Sequence, residues 1–139
     1  MSCAICYGEK QMIQTECNHF FCRHCIHEWI KNNPHLLQDW LAFRANFIHE
    51  ESAELDAAIT NNDSEEIVDA LIDLCVVAIG TLDALNVDVE RAWDEVFRAN
   101  MAKEVGQKDT RPNSLGLPDL IKPEGWTAPT HNDNIGLLK

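Results

Sequence analysis

Four cysteines near the start of the chain have the spacing of a metal site. Cys3 and Cys6 form one C-x2-C pair, and Cys22 and Cys25 form another after fifteen intervening residues. Four thiolates arranged in this way can meet in a tetrahedron around Zn²⁺. A reducing cytosol disfavours disulfides, and so short a segment buries too little apolar area to fold alone. The spacing therefore predicts a zinc ion that supplies much of the folding free energy of this segment.

Carboxylates in the middle of the chain form a second chemical group. Between Asp39 and Asp73 there are ten acidic residues and one basic residue, Arg44. Six of the acids fall at helical spacing on two predicted helices, and they are Glu50, Glu51 and Glu54, then Glu66, Asp69 and Asp73. Such crowding is repulsive without cations, and Mg²⁺ with oxygen ligands would relieve it. A solvated acidic face is the alternative, although Asp69 and Asp73 interrupt the most apolar helix of the chain.

Three helices are predicted to position these acids. Asn33 can cap the first helix, Asn61-Asn62 ends it, and Asp63-Ser-Glu-Glu66 is a capping box that opens the second. Gly106 is a C-cap signal that would end the third helix. The apolar spacing places them at about 34–60, 63–85 and 88–105.

The second predicted helix is apolar on nearly every side in its second half, so it should be enclosed by other helices. One short chain offers few elements to enclose it, which favours a homodimer or homotetramer. No strand pattern is convincing, and the fold class is all-α. We expect a zinc-binding module at 1–35, a helical domain at 36–106, and an ordered or semi-ordered tail at 107–139 that contributes to the site.

The cysteine segment resembles the first part of a RING finger. The order C-x2-C, C-x-H, C-x2-C supplies six of that family's eight zinc ligands, and the resemblance implies that Cys3, Cys6, Cys22 and Cys25 share one zinc. No closing C-P-x-C follows Trp29, which argues against ubiquitin-ligase activity. The resemblance implies a second zinc site that begins with Cys17 and His19, and His35 and Asp39 could complete it.

The acids resemble those of the MazG-like all-α nucleotide pyrophosphohydrolases. E-E-x-x-E at 50–54 is followed after eleven residues by E-x-x-D at 66–69, and the similarity continues through 95–103 and 122–126. It covers about residues 36–128. Members of the family usually have a further helix ahead of E-E-x-x-E, and a helix at about 23–32 could replace it here.

The resemblance implies a Mg²⁺-dependent enzyme that cleaves nucleoside triphosphates to monophosphates and pyrophosphate. By position, the metal ligands would be Glu51, Glu54, Glu66 and Asp69, with Asp73 in support. Glu50 would orient or deprotonate the attacking water. Substrate contacts would come from Asn100, Lys103, Lys122 and Trp126. The alternative is a RING-like zinc-binding adaptor with a helical oligomerisation domain.

Composition limits the choice of partners. With 11 basic and 23 acidic residues the formal charge is −12, so binding to nucleic acid or to anionic membranes by general electrostatics is not expected. The longest mostly apolar run, Leu74 to Ile79, is too short to span a bilayer. The chain opens directly into the cysteine motif without an apolar signal segment, and a cytoplasmic location is expected.

Overall fold

The computed structural model of the chain describes residues 12–14, 20–111 and 113–138, and most of these are helical. The α-helices in this part of the chain are α1 (Arg23–Asn32), α2 (Leu37–Asn61), α3 (Ser64–Ala84) and α4 (Val89–Met101). Two antiparallel strand pairs accompany them: β1 (Met12–Gln14) with β2 (Phe20–Cys22), and β3 (Glu104–Gly106) with β4 (Asp119–Ile121). The predicted all-α class is confirmed, and the strand pairs are additions that the sequence pattern did not indicate.

The described residues belong to two compact units. The first is Met1–Val87 together with Ile135–Lys139, and the second is Asp88–Asn134. The first unit contains α1, α2 and α3, and the second contains α4 and the β3–β4 pair.

An antiparallel hairpin of α2 and α3 is the centre of the first unit. Asn62 connects the helices in the left-handed conformation, and the Asp63 side chain caps α3 by accepting a hydrogen bond from the Glu66 amide at 3.1 Å. This N-cap was predicted. Small and β-branched residues, Ala58, Ala70 and Val77, are buried, so the two helices pack closely.

The start of α2 differs from the prediction. Asn33 was expected to cap this helix, but its side-chain amide donates to the carbonyl oxygen of Trp29 at 2.8 Å, and so it terminates α1. Residues Pro34–Leu36 form a 3₁₀ turn, and α2 begins at Leu37 without a side-chain cap. The proline therefore separates α1 from α2 because its ring cannot continue a helix.

The last described residues of the first unit return to the end of α3. The Leu137 amide donates to the carbonyl oxygen of Leu85 at 2.8 Å, and Leu85 is 2% exposed. Gly136 has a φ of 55°, and a Cβ atom there would lie 2.1 Å from the Leu85 carbonyl oxygen. Only glycine fits this close approach of backbone to backbone.

The third predicted helix is shorter than expected. Asp88 caps α4 by accepting from the Arg91 amide at 3.0 Å, but the helix ends at Met101, and Glu104–Gly106 pairs with β4. The prediction that the helix continues to Val105 is wrong. Gly106 lies in β3, where an added Cβ would meet Cδ1 of Ile121 at 2.8 Å, so it permits close strand packing and does not cap a helix.

Among the residues that the structure describes, no helix is both long enough and apolar enough to cross a membrane.

Candidate active site

The six predicted acids lie on the two helices of the hairpin, three on α2 and three on α3. Glu51 and Asp73 are half-buried, and the other four are exposed: Glu50, Glu54, Glu66 and Asp69. The Oε2 atom of Glu51 is excluded from solvent. Residues seven apart, such as Arg44, Glu51 and Ala58, share one helix face, so Glu51 lies on the stripe of α2 that includes the buried Ala58.

Most of these acids have no basic partner in the part of the chain that the structure describes. Within the described part of the chain, none of Glu50, Glu54, Glu66, Asp69 and Asp73 forms an ion pair with lysine, arginine or histidine. An all-carboxylate donor set on two packed helices suits a hard divalent cation such as Mg²⁺. By the chemistry of its donors, therefore, the set fits the metal that the sequence predicts.

The acid side chains do not form a closed metal site in the part of the chain that the structure describes. In residues 12–14, 20–111 and 113–138, no three His, Cys, Asp or Glu side chains form a group that could hold a metal ion. Exposed glutamate and aspartate side chains have several staggered rotamers. Convergence on a cation would therefore require side-chain rearrangement, while the helices already place the acids on one hairpin.

The predicted zinc ligands fall mostly outside the described residues. This holds for Cys3, Cys6, Cys17 and His19. Of the remainder, Cys22 ends β2 and Cys25 lies in the first turn of α1, where its side chain is buried. His35 lies in the 3₁₀ turn and Asp39 in the first turn of α2, and both are exposed. The zinc ligand set stays a prediction.

The four predicted substrate-binding residues come together in the second unit. Trp126 lies beneath two lysine side chains, with the Lys122 Nζ 4.5 Å and the Lys103 Nζ 5.6 Å from its ring centroid. The Lys103 Nζ also donates to Oδ1 of Asn100 at 2.8 Å, and the indole N–H donates to the Ala99 carbonyl oxygen at 2.7 Å. Two ammonium groups near one aromatic ring form a cationic site suited to an anion.

The segment after Trp126 is held against α4 by charged contacts that the sequence did not predict. Arg98 donates to Glu95 at 2.7 Å, and the Thr130 amide donates to the same carboxylate at 3.2 Å. The Arg98 hydrogen bond, followed by the Thr130 amide, lowers the pKa of Glu95 to about 2. We call Glu95, Arg98 and Thr130 the tail clasp, and it fixes the chain that carries Trp126.

A second set of contacts fastens the tail at the start of α4. Arg91 pairs with Asp133, and this ion pair lowers the pKa of the Asp133 carboxyl. The Asn134 side chain accepts from the Asp88 amide at 2.9 Å and donates to the Asp88 carbonyl oxygen at 2.8 Å. A groove of 440 Å³ runs beside these contacts and the tail clasp, and its lining contains none of the four predicted substrate residues. The groove is therefore part of the tail attachment.

These features define a class of protein: an all-α chain in which an acidic helical hairpin follows a cysteine-rich segment in the sequence. The family model for phosphoribosyl-ATP pyrophosphohydrolase matches residues 23–100, more than half of the chain, and the chain belongs to this family. The model for the Ring finger domain matches residues 1–35. No curated protein and no solved structure matches the chain.

These matches confirm the two resemblances seen in the sequence. The chain is a hydrolase of the pyrophosphohydrolase class, and its first 35 residues have the character of a zinc-binding finger. The two matched ranges overlap at residues 23–35, which include the whole of α1.

Proposed function

We propose that this protein is a Mg²⁺-dependent pyrophosphohydrolase that cleaves a nucleoside or deoxynucleoside triphosphate to the monophosphate and pyrophosphate. One observation carries the proposal: a family member presents, on the α2–α3 hairpin, five carboxylates that have no basic partner among the residues that the structure describes. Like charges on neighbouring helix faces repel, and no basic partner among the described residues offsets the charge of these five acids. A bound cation would remove this repulsion and recruit the triphosphate.

Each proposed ligand has a defined part in this scheme. Mg²⁺ would be held by Glu51, Glu54, Glu66, Asp69 and Asp73, and when bound it supplies neutralisation of phosphate charge and activation of water. Glu50 accepts a proton from the attacking water. The water oxygen forms a bond to the α-phosphorus as the bond from that phosphorus to the α–β bridging oxygen breaks. The electron pair of the broken bond leaves with pyrophosphate.

The second unit contains a cationic site of its own. We propose that Lys103 and Lys122 bind the phosphate oxygens, and that Trp126 holds both ammonium groups in place. Asn100 fixes Lys103 through the 2.8 Å hydrogen bond and is available to the sugar or phosphate. Ammonium groups placed in advance stabilise developing negative charge because they need not reorganise during the reaction.

A second copy of the chain is the proposed partner of α3. Five large apolar side chains on this helix are 47–62% exposed, and they are Val68, Leu71, Ile72, Val76 and Ile79. An apolar surface of this extent usually marks an interface. We propose a homodimer or homotetramer. Light scattering would test it: Val76→Glu should reduce the mass to that of a monomer, while the exposed Gln38→Glu should not, and a monomeric wild type would contradict the proposal.

A pyrophosphate-release assay tests the proposed reaction. The purified chain is incubated with a panel of ribo- and deoxyribonucleoside triphosphates and Mg²⁺, beside two variants of exposed acids on α2, Glu54→Ala and Asp56→Ala. We expect turnover of at least one nucleotide by the wild type and Asp56→Ala, and its loss in Glu54→Ala. No turnover on any nucleotide would contradict the proposal and favour the zinc-binding adaptor.

A further inference from the structure

The helix α1 belongs to both parts of the chain. Residues 23–35 fall within both family matches, so the helix that ends the finger is also the first helix of the hydrolase domain. The two parts therefore share a structural element and are not connected by a linker. Any constraint on the first turn of α1 acts on the hydrolase domain as well.

Two side chains of α1 contact one residue at the end of α3. The Arg23 guanidinium forms an ion pair with the Asp83 carboxylate at 2.6 Å, and its Nε donates to the same group at 3.2 Å. The His27 Nε2–H donates to the backbone carbonyl oxygen of Asp83 at 2.8 Å. Side chains of α1 thus contact both the carboxylate and the backbone carbonyl of Asp83.

These contacts offset the partial negative charge at the C-terminal end of α3. The last turn of a helix leaves carbonyl oxygens without intrahelical donors and carries partial negative charge, which basic side chains normally offset. The last turn of α3 contains no basic residue of its own. Arg23 supplies a cation from a neighbouring helix, and His27 supplies a further donor to the Asp83 carbonyl oxygen, which also accepts from the Asn86 amide at 2.9 Å.

Cys25 lies between these two residues in the first turn of α1, and its side chain is buried. With Cys22 at the end of β2, it forms a C-x2-C pair across the junction of strand and helix, which is the spacing of a zinc knuckle. A metal bound at Cys25 would fix the turn that carries Arg23 and the residues next to His27. The two thiols of this pair are suitable zinc ligands, and bound zinc would constrain the first turn of α1.

We propose that α1 couples the zinc site to the hydrolase domain, because zinc at Cys25 holds Arg23 and His27 in place as the cap of the C-terminal end of α3. Loss of zinc releases this cap and loosens the last turns of α3. The proposal concerns stability within Met1–Val87 and does not rest on the proposed hydrolysis.

Hydrogen exchange of the full chain, followed by mass spectrometry, tests the coupling. The protein is compared with Zn²⁺ bound and after removal of Zn²⁺ by a chelator under reducing conditions. We expect the amides of residues 80–87 to exchange roughly tenfold faster without zinc, as befits the loss of a hydrogen bond and a partly exposed ion pair. The amides of α4 should not change.

Variants separate the cap from a general effect of the metal. Arg23→Ala combined with His27→Ala should retain zinc, measured by atomic absorption, yet exchange at residues 80–87 at the zinc-free rate. Arg23→Lys should recover part of the protection. Lys31→Ala is the matched control, since it removes a cation from α1 that pairs with Glu28 of the same helix at 2.8 Å.

Three results would overturn the proposal. The first is equal exchange at residues 80–87 with and without zinc. The second is an undiminished zinc effect in the double variant. The third is a loss of protection throughout the chain that is the same in the wild type and the double variant, since the cap would then transmit nothing specific to α3.

Discussion

Several carboxylates in the second unit pair with arginines, whereas five on the hairpin of the first unit have no basic partner among the described residues. In Asp88–Asn134, Glu95, Asp119 and Asp133 each pair with an arginine, and each has a lowered pKa as a result. On the α2–α3 hairpin, five acids have no basic partner among the described residues. The same residue types therefore fasten the chain in one unit, and we propose that they bind a divalent cation in the other.

The paired and the unpaired acids should differ in what their removal affects. The paired acids fix the tail and the β3–β4 loop, and Arg111 with Asp119 at 2.6 Å is an example. The unpaired acids contribute repulsion unless a cation is present, which is an expensive arrangement to maintain for structure alone. Removal of a hairpin acid should therefore affect catalysis more than folding, and removal of a paired acid should do the reverse.

The largest effect is expected for Glu50→Gln, which keeps the shape of the side chain but removes the proposed proton acceptor. Turnover should fall by roughly 10²- to 10⁴-fold, the usual contribution of a general base. Pyrophosphate release measures it, with Asp56→Asn on the same helix as the control. Equal activities of the two variants would show that Glu50 has no role in proton transfer.

The next largest effect is expected at Gly136, whose backbone lies against the end of α3. Gly136→Ala should destabilise the chain by about 3 kcal/mol, about 1 from the positive φ and about 2 from overlap with the Leu85 carbonyl. Chemical denaturation measures the change. Gly116→Ala is the control, because Gly116 has a φ of 68° with nothing within 4 Å of an added Cβ. Similar losses in both variants would contradict the close approach at Leu85.

A smaller effect is expected in the cationic site. Lys103→Met and Lys122→Met should each raise KM for the triphosphate by roughly tenfold, since each removes one charged contact of about 1.4 kcal/mol. Lys108→Met is the control, because Lys108 lies 3.8 Å from Asp119 in a structural pair. If KM rises in Lys108→Met and not in the other two variants, the assignment of Lys103 and Lys122 to phosphate binding is wrong.

The smallest effect is expected on the tail clasp when the pH is lowered. The folded-state pKa of Glu95, about 2, lies below its ordinary value of 4.5, so the tail clasp stabilises the fold above that value and weakens as the pH falls toward 2. Protection of the Thr130 amide against exchange, followed by NMR, should decrease as the pH falls from about 4.5 to about 2. In Glu95→Gln this pH dependence should disappear, and its persistence would assign the transition to another group.

Local rules predicted the hairpin well. Asp63 and the break at Asn62 are signals that act within a few residues, and the structure confirms both. The predicted end of α4 is wrong because the sequence pattern of Gly106 suits a helix cap, whereas its role depends on Ile121, fifteen residues away in β4. Strand pairs of three residues carry no periodic signal, so the sequence alone could not indicate them.

The candidate residues divide in a similar way. The resemblance indicated Asn100, Lys103, Lys122 and Trp126, and the structure brings them together in one unit. The tail clasp includes a contact between Glu95 and Thr130, 35 positions apart, and Arg23 and Asp83 are 60 positions apart, and composition does not reveal such pairs. The metal ligands, the oligomeric state and the cytoplasmic location remain predictions.

Binding of a divalent cation to the hairpin tests the central claim most directly. Mn²⁺ can replace Mg²⁺ as a paramagnetic probe, and its binding to the full chain is measured by electron paramagnetic resonance without nucleotide. We predict that Glu66→Gln combined with Asp69→Asn weakens binding at least tenfold, while Glu90→Gln combined with Asp94→Asn, two exposed acids of α4, does not. Equal affinity in both double variants would contradict the account.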